Sequence, residues 1–513
     1  MLMVNALAGT GKTSTGTWGL GSRVPKDVRV SDEQKAIIKL MRTYTGSQAA
    51  MAFNRSIADK LKEDAPKSCV CNTSNGFGHQ AWARHLNMKL GLPDNLKNRK
   101  ICRELIGQRF PWKERIRIET AVDGIVGLCK SYLFDPHTSE RKNWLHGDVY
   151  ANGHEAMLWI CDRFDIDNDP VILEYAVKTF SKGVEPNAFI DWDDQIFLPL
   201  YHDISLPVYD HVLVDELQDL NRAKQELAFR MAKNITGIGD RFQSIYAFAG
   251  ADSESMDTMW NRMKAVDSNA IQLPLTVTRR NPRKVVELAN QLVPELKARE
   301  DAPDGIVENM SMDKFHKSVG DMPSMVVCRV NAPLSSLAFK LLSQGKRCYI
   351  QGRDIGAGLK SEIKRTGENE LSTALSVVHD RIERRKMEIL QRDFPDENQI
   401  EALNDKLACI DILAGDADTI EEFNGIVDRL FKDSGDKKDT RLSSIHKAKG
   451  LEHPIVHVYM SNKLMQNFTR KGRKKQVFQD EQEKNLAYVA YTRSMSELYR
   501  IPEEKKERIF DNE

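Results

Sequence analysis

Net charge is what this chain most lacks. Its 513 residues carry 75 Lys and Arg against 74 Asp and Glu, a balance of +1. No global field therefore draws it onto a polyanion, and an anionic partner must be met by local basic patches. No uninterrupted apolar run is long enough to span a bilayer. The eight cysteines (Cys69, Cys71, Cys102, Cys129, Cys161, Cys328, Cys348 and Cys409) form no CxxC pair and no Cys/His cluster with zinc spacing. Reduced, mostly buried thiols and a cytoplasmic setting are expected. Internal repeats and low-complexity tracts are missing too.

What is present is ordinary globular composition, 41% hydrophobic and 29% charged. The length exceeds what one core holds, so several domains are expected. The sharpest local signal comes first. An apolar run from Leu2 to Val4 leads into Ala6-Leu7-Ala8-Gly9-Thr10-Gly11-Lys12-Thr13. Glycines at 9 and 11 let backbone N–H groups converge on phosphate oxygens, Lys12 brings positive charge, and the Thr13 hydroxyl can ligate magnesium. Ala8, Gly9, Thr10, Gly11, Lys12, Thr13 and Ser14 are the candidate nucleotide contacts. Ala6 stands where such loops usually open with glycine.

Further apolar runs end in polar residues: Val212 to Val214, Ile235 to Ile238, Met325 to Cys328, Tyr349-Ile350, and Ile455 to Tyr459. Continuous apolar strands alternating with helical stretches predict parallel sheets covered on both faces, with ligands at the carboxyl ends of strands. Residues 95–185 and 356–440 read as mainly helical insertions. The second contains a helical hairpin, Glu370 to Arg392 and Asn398 to Leu413. The expected division is a first core of 1–94 and 186–270 and a second of 271–355 and 441–513. The dense basic run Arg470 to Lys475 is a candidate nucleic-acid contact or a solvated loop.

His211 to Asp219 places carboxylates just past an apolar strand. Asp215 is positioned to hold magnesium through water, and Glu216 to take a proton from the water that attacks a γ-phosphate. Asp215-Glu216-Leu217-Gln218-Asp219 resembles the DExQD box of superfamily 1 helicases of the UvrD/Rep type. Gly239 to Asp252 is similar to their third motif, Ser444 to Glu452 to the fifth, and Asn485 to Ser494 to the sixth. The order of motifs agrees along nearly the whole chain. Ala50 to Asn54, Thr73 to Gly78, Asp191 to Pro199 and Gly352 to Gly356 most resemble the branch with F-box DNA helicases and similar phage proteins, without an F-box.

The resemblance implies an α/β protein with two RecA-like parallel-sheet cores, each with a mainly helical insertion. It implies a 3′-to-5′ motor that couples Mg-ATP hydrolysis to movement on single-stranded DNA and unwinding of tailed duplexes, in repair, recombination or replication. Gln243 is then the γ-phosphate sensor, Arg280 and Arg493 supply charge to the transferred phosphoryl group from the second core, and Glu452 contacts the ribose. Phe53, Phe77, Tyr246 and Phe248 are candidate base platforms, and Asn54, Thr73 and His446 are polar strand contacts.

Three departures stand out. Only five residues precede Ala6, leaving no room for the family's glutamine motif and leaving open a longer native chain. A lookalike at Ser31 to Ile38 reads instead as a helix cap, with Ser31 and Gln34 forming a capping box. Arg279 replaces an adenine-stacking aromatic, a role that a guanidinium can also fill, and Ala249 replaces an arginine. The rival expectations are a regulatory or defence ATPase that gates a partner without processive unwinding, and an RNA-directed motor.

Overall fold

The computed structural model describes residues 1–137, 153–164, 166–245, 255–391, 397–436, 438–464 and 477–502. The chain forms two compact units, Met1–Val277 and Thr278–Glu513.

The first unit is built on a six-stranded sheet: β1 (Leu2–Ala6), β2 (Gln48–Ala52), β3 (Val70–Thr73), β4 (Tyr209–Asp215), β5 (Ala232–Gly239) and β6 (Ile271–Leu275). Its spatial order is β3-β2-β4-β5-β1-β6, and every neighbouring pair is parallel. Side chains alternate between faces along a strand. Leu2, Val4, Ala6, Ala50, Ala52 and Leu213 enter one core, while Met3, Ala49, Met51, Val212 and Val214 enter the other. Burial on both faces is why the central stretches of these strands, such as Leu2–Val4 and Val212–Val214, are apolar.

The expected boundary after residue 270 falls short. Ile271–Leu275 pairs with β1 from Leu2↔Ile271 to Ala6↔Leu275, so the first unit extends through β6. This strand contains Pro274. Proline is confined to strand edges, and β6 is the sheet's edge.

Helices Lys97–Ile106, Trp112–Tyr132, Gly153–Phe164 and Pro170–Gly183 fill the expected first insertion. They share one hydrophobic core with helix Asp194–Tyr201, through Cys102, Ile125, Ile172, Phe180 and Phe197 among others. A buried ionic cluster joins them. Lys97 donates to Asp194 Oδ2 at 2.6 Å and to the Gly183 carbonyl at 2.7 Å. Lys130 meets Asp191 Oδ2 at 2.6 Å and Asp194 Oδ1 at 2.8 Å. Burial alone would raise the Asp194 carboxyl, but the two ammonium groups hold it below the ordinary value.

The second unit has a seven-stranded sheet in the order Phe431–Lys432, Cys348–Gln351, Thr440–Ser444, Met325–Cys328, His453–Tyr459, Ser494–Ile501 and Ile306–Asn309, again parallel throughout. Helices Arg353–Lys364, Leu371–Leu390, Glu397–Ala414 and Ile420–Leu430 occupy the expected second insertion, though its strand Phe431–Lys432 joins the sheet. This is an α/β architecture of two RecA-like parallel-sheet cores with helical insertions. All eight cysteines are free and six are buried. Among the described residues no helix is long and apolar enough to cross a membrane.

Lys130→Met leaves Asp191 and Asp194 short of one counter-charge in a dry site. The expected loss is about 3–5 kcal/mol of unfolding free energy, measured by urea denaturation.

Candidate functional site

Parallel strands put their carboxyl ends on one edge, and three neighbours, β4, β5 and β1, deliver the candidate groups there. The loop after β1 turns through Gly9 (φ 71°) and Gly11 (φ 82°), left-handed conformations that glycine adopts without steric cost. Ala6 is the last residue of β1 and is not among the positive-φ residues, so its Cβ is tolerated where related loops carry glycine. Helix Lys12–Gly19 begins directly after Gly11, and its N-terminal N–H groups favour an anion. Thr10 Oγ1 donates to the Leu7 carbonyl at 2.8 Å and closes the loop.

Helix Asp32–Met41 buttresses this loop. Ser31 and Gln34 form the expected capping box. Gln34 does more than cap, because its Nε2 also donates to Thr15 Oγ1 at 2.9 Å and approaches the Thr10 carbonyl at 3.5 Å.

The two acidic residues after β4 meet the loop. Thr13 Oγ1 donates to Asp215 Oδ2 at 2.8 Å, and Lys12 Nζ lies 3.3 Å from Glu216 Oε2. Glu216 has φ 54° and ψ 48°. That left-handed backbone costs a non-glycine residue about 1–3 kcal/mol and is a recurrent mark of functional sites. From the end of β5, Asp240 Oδ2 accepts from Gln243 Nε2 at 2.6 Å. Burial pushes the Asp215 carboxyl up to about 6, and the Glu216 charge adds to the effect. Burial also raises Asp240 to about 6, against the pull of Lys12 and Gln243. The Lys12 ammonium stands above its ordinary value: burial lowers it, but Glu216, Asp240 and Asp215 together outweigh that.

One ammonium among three carboxylates leaves a deficit of positive charge that suits a divalent cation. Asp215 and Thr13 are hard oxygen donors side by side, the kind magnesium takes. Among the described residues no three His, Cys, Asp or Glu side chains converge as a metal cage. Magnesium commonly needs only one or two protein carboxylates together with substrate phosphates.

The expected strand contacts fare unevenly. Phe53 is half-buried with the Lys224 ammonium 5.0 Å from its ring centre. Asn54 and Thr73 each cap a helix through their side chains, accepting from Ile57 N and Gly76 N. Phe77 does not fit a base platform. It is 2% exposed in the core and packs edge-on against Tyr209, because helix Ser74–His85 turns Phe77, Ala81 and Trp82 inward together. Tyr246, Phe248, Ala249 and the basic run at 470–475 lie outside the described residues. Sequence reasoning missed Trp192, 51% exposed beside the buried Asp194, with its carbonyl held by Asn75 Nδ2 at 2.8 Å. It also missed Gln218, which touches both Glu216 and Asp240.

In the second unit, Arg280 Nε pairs with Glu452 Oε2 at 2.6 Å. Arg493 is 1% exposed, and its guanidinium donates to the carbonyls of Val489 and Leu451 at 2.9 and 3.1 Å. Arg279 is half-buried. Burial, then the nearby Arg329 and Lys449, lowers His446 to about 4, so it meets a partner at neutral pH as a neutral ring.

Residues 1–264 match the UvrD/REP helicase N-terminal domain, and residues 362–505 match the UvrD-like helicase C-terminal domain. A probable DNA helicase II homolog of Mycoplasma pneumoniae is 24% identical over 283 residues, 52% of this chain and 36% of the relative. One from Mycoplasma capricolum subsp. capricolum is 35% identical over 99 residues, 18% of this chain and 13% of the relative. The chain thus spans only part of the length of either relative.

Gln34→Ala removes half of the capping box and the bond to Thr15. A loss of about 1–2 kcal/mol in stability is expected from thermal or urea unfolding.

Proposed function

The chain belongs to the UvrD/REP helicase family, and from that premise we propose that it is an ATP-driven DNA helicase and single-strand translocase moving 3′ to 5′. The observation that carries this reading is the meeting of Lys12 and Thr13 with Glu216 and Asp215 across more than 200 residues of sequence. A lysine loop alone binds phosphate. A lysine loop set against an acidic pair can also hydrolyse it.

Each residue has a task under this proposal. The loop N–H groups and Lys12 hold the phosphates. Thr13 and Asp215 hold magnesium, which when bound offsets phosphate charge. Glu216 orients the attacking water and accepts its proton. Gln243 senses the terminal phosphate, while Arg280 and Arg493 neutralise charge growing on the transferred group. Glu452 contacts the ribose, and Arg279 stacks on the base.

Strand binding needs aromatic platforms, each worth about 1–3 kcal/mol per stacked base. Phe53 and Trp192 are partly exposed and suit that role, and Tyr246 and Phe248 remain proposed for it. Asn54, Thr73 and His446 are proposed contacts to the strand. Stacking reads no base identity, so little sequence preference is expected. Work in repair, recombination or replication, and closeness to the F-box and phage branch, belong to the same proposal.

The deciding experiment measures ATP turnover with and without single-stranded DNA, and strand displacement on duplexes with 3′ or 5′ tails. Stimulated turnover with faster displacement from a 3′ tail is expected. Stimulated turnover with no displacement would replace the helicase by a gating ATPase, and preference for RNA would redirect the substrate. Lys12→Ala is expected to abolish turnover. Glu216→Gln should lower kcat at least about 100-fold while ATP binding, followed by equilibrium dialysis, persists. Near-normal hydrolysis by Glu216→Gln would remove Glu216 as the base.

A further inference from the structure

Glu216 cannot rely on Lys12 throughout a reaction cycle. In this structure one oxygen, Glu216 Oε2, accepts from both Lys12 Nζ at 3.3 Å and Gln218 Nε2 at 2.6 Å. When Lys12 turns to phosphate, the Gln218 amide remains as a donor to that oxygen. The other end of the same amide, Gln218 Oε1, accepts the Asp240 backbone N–H at 2.9 Å. Asp240 in turn holds Phe242 N at 3.1 Å and Gln243 Nε2 at 2.6 Å.

We infer that Gln218 is a positioning residue that couples the hydrolytic base to the phosphate-sensing loop, an inference resting on the ATPase reading above. Its chemistry suits the task in a way few side chains could. One end of the amide must donate to a carboxylate and the other must accept from a backbone N–H. Only one orientation of the carboxamide does both, since the flipped one sets oxygen against carboxylate and NH2 against N–H. Glutamate supplies no donor when ionised, and a hydrocarbon supplies neither bond.

The surroundings keep the link dry and specific. Gln218 is 1% exposed, so water offers little competition for either bond. Gly239 makes room for it: a Cβ there would sit 2.9 Å from Gln218 Oε1 and 2.6 Å from Met256 Sδ. Movement at Gln243 can thus pass through Asp240 and one rigid amide to Glu216. In sequence, Tyr246 and Phe248, the proposed strand contacts, follow Gln243 by three and five residues. Coupling through Gln218 therefore predicts that it governs how strongly DNA stimulates hydrolysis.

The test compares Gln218→Met and Gln218→Glu with the native chain, measuring KM for ATP and kcat with and without a single-stranded oligonucleotide. KM within about twofold, a DNA-stimulated kcat at least about tenfold lower, and a stimulated-to-basal ratio collapsing towards one are expected. Equal falls in both rates with the ratio intact would mark a merely structural role and overturn the inference. An unchanged stimulated kcat would do the same. If Gln218→Met does not fold, Gln218→Glu, which keeps the acceptor for Asp240, decides alone. A native chain whose ATP turnover DNA does not stimulate would overturn the nucleic-acid reading and this coupling with it. A stimulated native chain with both variants unchanged overturns the coupling only.

Discussion

Thr13 donating to Asp215, with Lys12 facing Glu216 beside it, is the contact on which the rest of the first unit's chemistry turns. It exists because all six strands run one way, so the ends of β1 and β4 open on the same edge with β5 between them. Antiparallel order would send the loop and the acids to opposite sides. The contact concentrates charge in a dry place, and the raised Asp215 and Asp240 carboxyls record the resulting strain. Carboxylates that resist ionisation are the ones that gain most from an arriving cation. The left-handed Glu216 adds conformational strain at the same point.

Much of this was legible in the sequence, for a physical reason. Strands buried on both faces must be apolar throughout, so they announce themselves as runs, and the residues that interrupt those runs lie on the ligand-binding edge. The loop and the acidic pair were readable in that way, whereas the Ser31 cap was read from its spacing to Gln34 and Gln243 from the resemblance of its motif. Phe77 was misjudged because its motif drew attention from its helix. Phe77, Ala81 and Trp82 lie on one helical face, and that spacing marks core. β6 was not among the runs read as strands, and Pro274 interrupts its apolar pattern. Gln218 was visible as the glutamine of the DExQD box, but its two partners became visible only in the structure.

The first insertion presents the opposite difficulty. Nothing in the pattern of Lys97, Lys130, Asp191 and Asp194 marks them as partners, yet the structure buries them together. Two ammonium and two carboxylate groups balance, so the cluster can exist out of water. Such a cluster adds less to stability than an apolar core of equal volume. It does demand one particular alignment of three helices, and that alignment fixes the turn on which Trp192 is displayed.

The pairing of β1 has a consequence for how the protein is made. Both neighbours of β1, β5 and β6, lie more than 220 residues further along the chain, and Leu2 pairs directly with Ile271. At about 5–20 residues per second, a ribosome needs on the order of tens of seconds to supply these partners. Through that interval the mostly apolar segment Leu2–Ala6 has no strand to join. Slowing translation before residue 271 therefore lengthens the time for which this strand has no partner.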